Sequence, residues 1–295
     1  MVGSRLPLAL LLAFGLLMGL VAPLAKLAAS QGLSAPAFAF WQALGGGLGI
    51  ALACRWRRQR MRWDTWHLRY YGLAGLTGIA LPNLLVFQAV PHLGAGLASV
   101  VYTFPPLFTL ALAATLGVER LAWRRAGGIL LGFVGTLMIV LPDRGLPASV
   151  SPHWLFIALL APLCLAVGNV YRSRDWPPQG HPLPLAAGML LGGAAELLPL
   201  LPLQGGALPA TGTGALLLAA AGAATAPAYM MFLELQRRAG PVYLSQCGFV
   251  ITLTGLAVSD LLLGEHYSPW VWAAVATVFL GVILSTSSSR KTGQV

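Results

Sequence analysis

Five histidines (His67, His92, His153, His181, His266), three cysteines (Cys54, Cys164, Cys247) and eight carboxylates are the groups with which this chain would have to do catalysis or bind metal. Their spacing supports neither. No HExxH sets two histidines on one helix face for zinc, and no nucleophile stands in a motif with a base. The cysteines lie inside or at the ends of apolar runs, without CxxC spacing or a paired framework, and read as small core residues. The pattern predicts no metal, no cofactor and no enzyme. What remains are polar side chains set inside apolar stretches, whose chemistry is hydrogen bonding to something held among them.

Ser99, Tyr102, Thr103 and Pro106 follow i, i+3, i+4, i+7 and share one helix face. Ser245, Gly248, Phe249 and Thr252, with Gln246 alongside, repeat that face further on. Asn83, Tyr229, Met230, Gln42 and Asn169 complete a set of neutral hydrogen-bonding groups and aromatic walls suited to a central pocket. The rival role of each hydroxyl is a bond to its own backbone or a neighbouring helix, the more frequent use of Ser and Thr in membrane helices.

The elements that must position these groups are membrane helices. Apolar and aromatic residues make up 57% of the 295 residues and charged residues 9%, a balance that suits a bilayer and not water. Runs long enough to cross a hydrocarbon core follow one another near 6–29, 35–54, 69–91, 95–117, 124–141, 153–172, 183–203, 212–233, 240–263 and 268–286. The N-terminal run is too long for the apolar region of a secretory signal and reads as a retained first helix.

The net charge of +10 would fit nucleic acid as a partner, but the cations fall in short gaps between apolar runs. With the N-terminus inside, sixteen of the eighteen Lys and Arg residues lie on the cytoplasmic side, leaving only Lys26 and Arg144 opposite. That distribution sets nucleic acid aside and predicts a multi-pass protein of the bacterial inner membrane with both termini cytoplasmic.

An offset of 146 residues aligns Gly94 with Gly240, Ser99 with Ser245, Glu119 with Glu265, Gly135 with Gly281 and Lys26 with Arg172. One constant offset over two halves of five spans predicts an all-α integral membrane protein of ten transmembrane helices, built from two inverted repeats at 1–147 and 148–295. Glu119 and Glu265 then face opposite sides, and the positive-inside rule explains why Arg120, Arg124 and Arg125 follow only the first. Inverted repeats are a recurring plan of secondary transporters, with substrate held at the midplane.

Residues 87–140, with Ala89, Ala95, Ser99, Pro106, Glu119, Arg120 and Gly135, resemble the EamA repeat of the drug/metabolite transporter superfamily. The second copy keeps Gly264 and Glu265 of the Gly-Glu-Arg turn but has His266 in place of Arg, and Gln42 stands where an Arg is common. The resemblance spans the chain and is greatest to bacterial amino-acid exporters, including the aromatic branch. It implies alternating access at a central cavity for small molecules, with amino acids that include aromatic or apolar ones as cargo, the lipid bilayer as surroundings, and a monomer or weak homodimer. A broad drug or metabolite efflux transporter is the alternative, and a polytopic enzyme a remoter one. Lys26, Glu196, His92 and Pro106 are the candidates for gating or coupling. Of the eight carboxylates only Glu196 is expected well inside a span, which favours facilitated diffusion or weak coupling over a proton relay.

Overall fold

The computed structural model describes residues 5–118, 123–140, 152–205 and 207–287. Glu119, Arg120, Asp143, Arg144, Arg290 and Lys291 lie outside the described residues. All regular structure among the described residues is helical.

Seven helices are long and apolar enough to cross a membrane: α1 (Leu6–Ser30), α2 (Ala35–Trp56), α3 (Thr65–Leu93), α4 (Ala95–Thr115), α6 (His153–Arg174), α7 (Pro182–Leu203) and α8 (Gly212–Ser245). Three further apolar helices complete the set, α5 (Trp123–Val140), α9 (Cys247–Leu263) and α10 (Pro269–Ser287). Proline opens α7 and α10, where its fixed φ and missing N–H cost nothing. Asp64 caps α3 by accepting from the His67 N–H at 3.1 Å, and its side-chain hydrogen bond with His67 holds the carboxyl below its usual range.

One boundary differs from expectation. The eighth helix continues six residues beyond 233 before Gly240 turns it with φ 80°. The extension is polar, and Glu234 ties it one turn ahead to Arg237 at 3.0 Å and Arg238 at 2.5 Å.

Contacts between the connecting segments show alternate loops gathering at opposite ends. At one end Arg62 reaches Gln179 at 2.9 Å and Arg69 reaches Asp175 at 3.6 Å. At the other, Trp41 donates to the Ala207 carbonyl at 2.8 Å and Thr211 to Gln31 at 3.0 Å. The first end carries the arginines together with the exposed Trp56, Trp63 and Trp66, rings that favour a membrane interface. Between the ends, Leu48, Leu52, Leu130, Leu216 and Leu280 point outward, a surface that lipid covers without cost.

Glycines bring the helices together. Gly15 and Gly19 of α1 lie on Val250 and Thr254 of α9, Gly45 of α2 on Gly222 of α8, and Gly188 and Gly192 of α7 on Tyr71 of α3. Gly135 packs on Ala274 and Val278, while Gly281 packs on Gly128 and Gly132. The small-residue stripes of α5 and α10, which could have marked a dimer face, are thus closed on each other within the chain. The eight described residues with positive φ also fall into pairs 146 or 147 apart: Gly32 and Gln179, Arg58 and Gly205, Gly94 and Gly240, Gly117 and Gly264.

Candidate functional site

The central cavity lies where α4 meets α9 and is walled by α1, α3, α6 and α8. It is narrow, leaving about 60 Å³ open to the centre of a water-sized sphere, and is partly continuous with solvent. Helix α4 is not regular beside it. Pro105 and Pro106 bring no N–H to the carbonyls of Val101 and Tyr102, and residues Val101–Thr103 tighten into a 3-10 turn. The Tyr102 carbonyl comes against Gly248 of α9, so closely that a Cβ at Gly248 would lie 1.6 Å from that oxygen.

Six of the residues chosen from sequence line this cavity: Asn83, Tyr102, Asn169, Tyr229, Ser245 and Gly248. Phe14, Phe87 and Phe232 add aromatic surface to it, with Phe14 edge-on to Tyr229 at 5.8 Å and 4.9 Å from Phe232. Sequence reasoning did not single out these three, because a phenylalanine in an apolar run carries no signal of its own.

The remaining candidates stand elsewhere. Gln42 is one layer behind, accepting from Asn83 at 3.3 Å and donating to Thr225 at 3.1 Å. Ser99 donates to the Gly96 carbonyl at 2.6 Å, while Thr252 donates to the Ser99 carbonyl at 2.7 Å, so that pair fastens α4 to α9. Thr103 turns back to the Val100 carbonyl at 2.7 Å. Phe249 is fully buried against Gly132 of α5 and Val278 of α10, on the side away from the cavity. Gln246 is buried where α9 begins, Met230 packs on the core, and Pro105 rather than Pro106 reaches the cavity wall. Glu196 sits half-buried near Gly72 where α7 crosses α3.

A second cavity opens toward the arginine-poor end and shares Phe87 with the first. His92 lies in its wall, stacked on Trp154 at 4.0 Å. Lys26 is nearby at the same end and donates to the Glu265 carboxylate. Glu265 also accepts from the Tyr267 hydroxyl at 2.5 Å and from the N–H groups of Ala95 and Gly96 at 2.9 and 3.0 Å, the first amides of α4. Burial alone would raise its pKa, but the hydrogen bonds from Lys26, Tyr267, Gly96 and Ala95 outweigh burial and hold the carboxyl below its usual range.

The residue that sequence reasoning missed is Arg172. At the end of an apolar run it counts as one more interfacial arginine, yet the side chain is fully buried. Its Nη2 donates to Asn169 at 2.6 Å, its Nε to Gln236 at 3.1 Å, and its guanidinium lies 5.1 Å from the Phe232 ring. The one available signal was its alignment with Lys26, a cation at the same place in each half.

Membrane-length helices around a cavity lined by amides, hydroxyls and aromatic rings define a multi-pass membrane protein with an internal polar and aromatic site. The chain belongs to the EamA-like transporter family, whose profile matches residues 5–141 and again 152–287. It is similar to the uncharacterized inner membrane transporter YedA of Escherichia coli (strain K12), 30% identical over 72% of this chain and 69% of that protein. It is also similar to the S-adenosylmethionine/S-adenosylhomocysteine transporter of Chlamydia muridarum, 27% identical over 76% of this chain and 74% of that one. A third relative, the probable terminal-alkyne amino-acid exporter of Streptantibioticus cattleyicolor, is 28% identical over 53% of this chain and 48% of its own. One solved crystal structure shares the fold with a TM-score of 0.71 at 20% identity, over 96% of this chain and 99% of that chain. The protein is a membrane transporter and not an enzyme.

Proposed function

We propose that this transporter exports small zwitterionic metabolites, foremost amino acids with aromatic or apolar side chains, across a bacterial inner membrane. The observation that carries the reading is the lining of the central cavity. Asn83, Asn169, Ser245 and two tyrosines offer neutral hydrogen bonds beside Phe14, Phe87 and Phe232, a combination that matches a polar head with an apolar tail. Two of the named relatives carry cargo with an amino-acid group, which agrees.

Ten spans in two inverted five-helix repeats, 1–147 and 148–295, with both termini cytoplasmic, are the architecture we infer. The paired positive-φ residues and the reciprocal contacts of Gly135 and Gly281 support it. Alternating access follows from such a plan, with the Lys26–Glu265 cluster as a latch joining α1, the start of α4 and the α9–α10 connection at the outer end. Among the described residues no carboxylate or histidine lines the central cavity, which supports facilitated or weakly coupled transport.

Uptake of labelled phenylalanine, threonine and a cationic dye into proteoliposomes without an ion gradient tests this. Saturable phenylalanine flux above empty liposomes is expected. Dye flux alone would replace the reading with multidrug efflux.

A further inference from the structure

A guanidinium carries five N–H donors and a permanent charge. Arg172 is 0% exposed, inside a helix of membrane length, and its contacts are neutral: the oxygens of Asn169 and Gln236 and the face of Phe232. Among the described residues no carboxylate pairs with it. Those partners are themselves fixed, since Gln236 donates to the Asn169 carbonyl at 2.7 Å and to Ser173 at 2.8 Å. The guanidinium is therefore held rigidly while its charge stays uncompensated. Burial of a charge without a counter-charge is costly, and it persists in proteins chiefly where function requires it.

The nitrogen left over is Nη1, which is buried and has no hydrogen-bond partner. It lies between two glycines: a Cβ would approach it to 2.5 Å at Gly78 and to 2.9 Å at Gly168. Gly78 lines the central cavity, as do Asn169 and Phe232, so three neighbours of the guanidinium form one wall of it. Gly78 also belongs to the wide turn Leu76–Ala80 of α3, a π-helical distortion of the kind that recurs at functional sites. Gly78 thus touches both Nη1 and the central cavity, with the tip of Met189 packed at the same place.

We propose that Nη1 of Arg172 is the docking point for a carboxylate on the transported molecule. The proposal rests on the central cavity being the cargo site and deepens that reading by naming the group recognised. Lys26, the cation at the matching position of the first half, is already taken by Glu265. Cargo would enter with its carboxylate toward Arg172 and Gly78 and its apolar part against Phe14 and Phe87. A cation would meet the uncompensated guanidinium, so amines lacking a carboxylate are rejected.

The test is thermal stabilisation of the purified full-length protein by phenylacetate, phenylacetamide and phenethylamine, beside phenylalanine uptake in proteoliposomes. Phenylacetate should bind about 10- to 100-fold more tightly than the amide, the range expected for a hydrogen bond to a charged group. Arg172→Gln should abolish that preference and Arg172→Lys should restore part of it. Gly78→Ala, which keeps the charge but puts a methyl group against Nη1, should weaken phenylacetate and leave the amide unchanged. If Arg172→Gln fails to fold, the wild-type preference and Gly78→Ala decide. Carboxylate-specific binding without phenylalanine uptake would support the docking point and sink the amino-acid reading. Equal binding of phenylacetate and phenylacetamide, or a preference that survives Arg172→Gln, would overturn the proposal.

Discussion

Lys26 and Arg172 stand 146 residues apart, each late in the first helix of its half, and they end in opposite electrostatic circumstances. Lys26 meets Glu265, whose oxygens are further taken by Tyr267 and by the first amides of α4. Arg172 meets amides and an aromatic ring, no carboxylate among the described residues pairs with it, and one of its nitrogens is left over. A carboxylate supplied by the chain makes a closure; a place where none is supplied can receive one from outside. Under the proposed function, the same position would serve closure in one half and recognition in the other.

The largest effect is expected where the comparison can be broken outright. The α4–α9 crossing stands between the two cations, and Gly248→Ala would put a Cβ 1.6 Å from the Tyr102 oxygen. Backbone on both sides leaves no flexible group to yield, so a cost above ~3 kcal/mol is expected, beyond the usual range for overpacking. The melting temperature in detergent should fall by many degrees, and with it both clusters. Gly127→Ala, where a Cβ meets nothing within 4 Å, is the control and should leave the melting temperature within a degree or two of the parent.

Next in size is Lys26→Glu, which sets a second carboxylate against Glu265 where a cation was. Lys26 is 36% exposed, so solvent screens part of the effect. A change of ~1.4 kcal/mol, about tenfold in the ratio of open to closed outer ends, is expected. Maleimide labelling of a cysteine placed at Ala98, fully buried in α4, should rise correspondingly. The preference for carboxylate over amide should not move, because that belongs to Arg172. A variant that altered the preference and left labelling constant would reverse the roles assigned to the two cations.

The contrast also shows what the chain made legible. Helix ends were readable to within a few residues because Pro36, Pro182 and Pro269 mark starts and Gly94 and Gly240 mark turns, each by a property of its backbone. Tyr102, Asn83 and Asn169 were readable because a polar group in an apolar run must face something polar. Ser99 and Thr252 satisfy the same rule by bonding each other's helix, and no spacing distinguishes that partner from a ligand. Phe249 shares their helical face on paper, but α5 and α10 pack on the far side of α9 and claim it. Arg172 was hidden for a different reason. An arginine closing an apolar run is the ordinary signal of the cytoplasmic interface, and only packing shows that this one turns inward.

A smaller effect separates cavity from fastening. Asn83→Ala removes a neutral donor from the cavity wall and should raise the KM for phenylalanine about three- to tenfold, the worth of one such hydrogen bond. Ser99→Ala removes a bond to the Gly96 carbonyl outside the cavity and should lower the melting temperature by a few degrees with KM unchanged. Initial-rate uptake and a melting curve on each variant read both quantities. A KM change in Ser99→Ala matching that of Asn83→Ala would place the α4–α9 fastening inside the cargo site.

The smallest effect expected is that of pH on the closed end. The hydrogen bonds that gather on Glu265 hold its pKa below that of a free carboxyl. A group whose pKa is depressed in the closed form contributes stability that is complete above the free value and is lost as pH falls through the depressed one. Between about pH 8 and pH 5 the carboxylate therefore stays ionised in both forms, and closure should hardly change. Below that interval protonation is taken up preferentially by the open form, where Lys26, Tyr267 and the α4 amides no longer hold the charge. Exchange of the Ala95 and Gly96 amides with deuterium, corrected for intrinsic rate, should be flat across the neutral range and rise only in acid. The rise should vanish in Glu265→Gln, which cannot titrate. Opening with a midpoint near neutrality would assign the pH response to another group, and would remove the Glu265 carboxylate as the element that distinguishes the closed end from the Arg172 end.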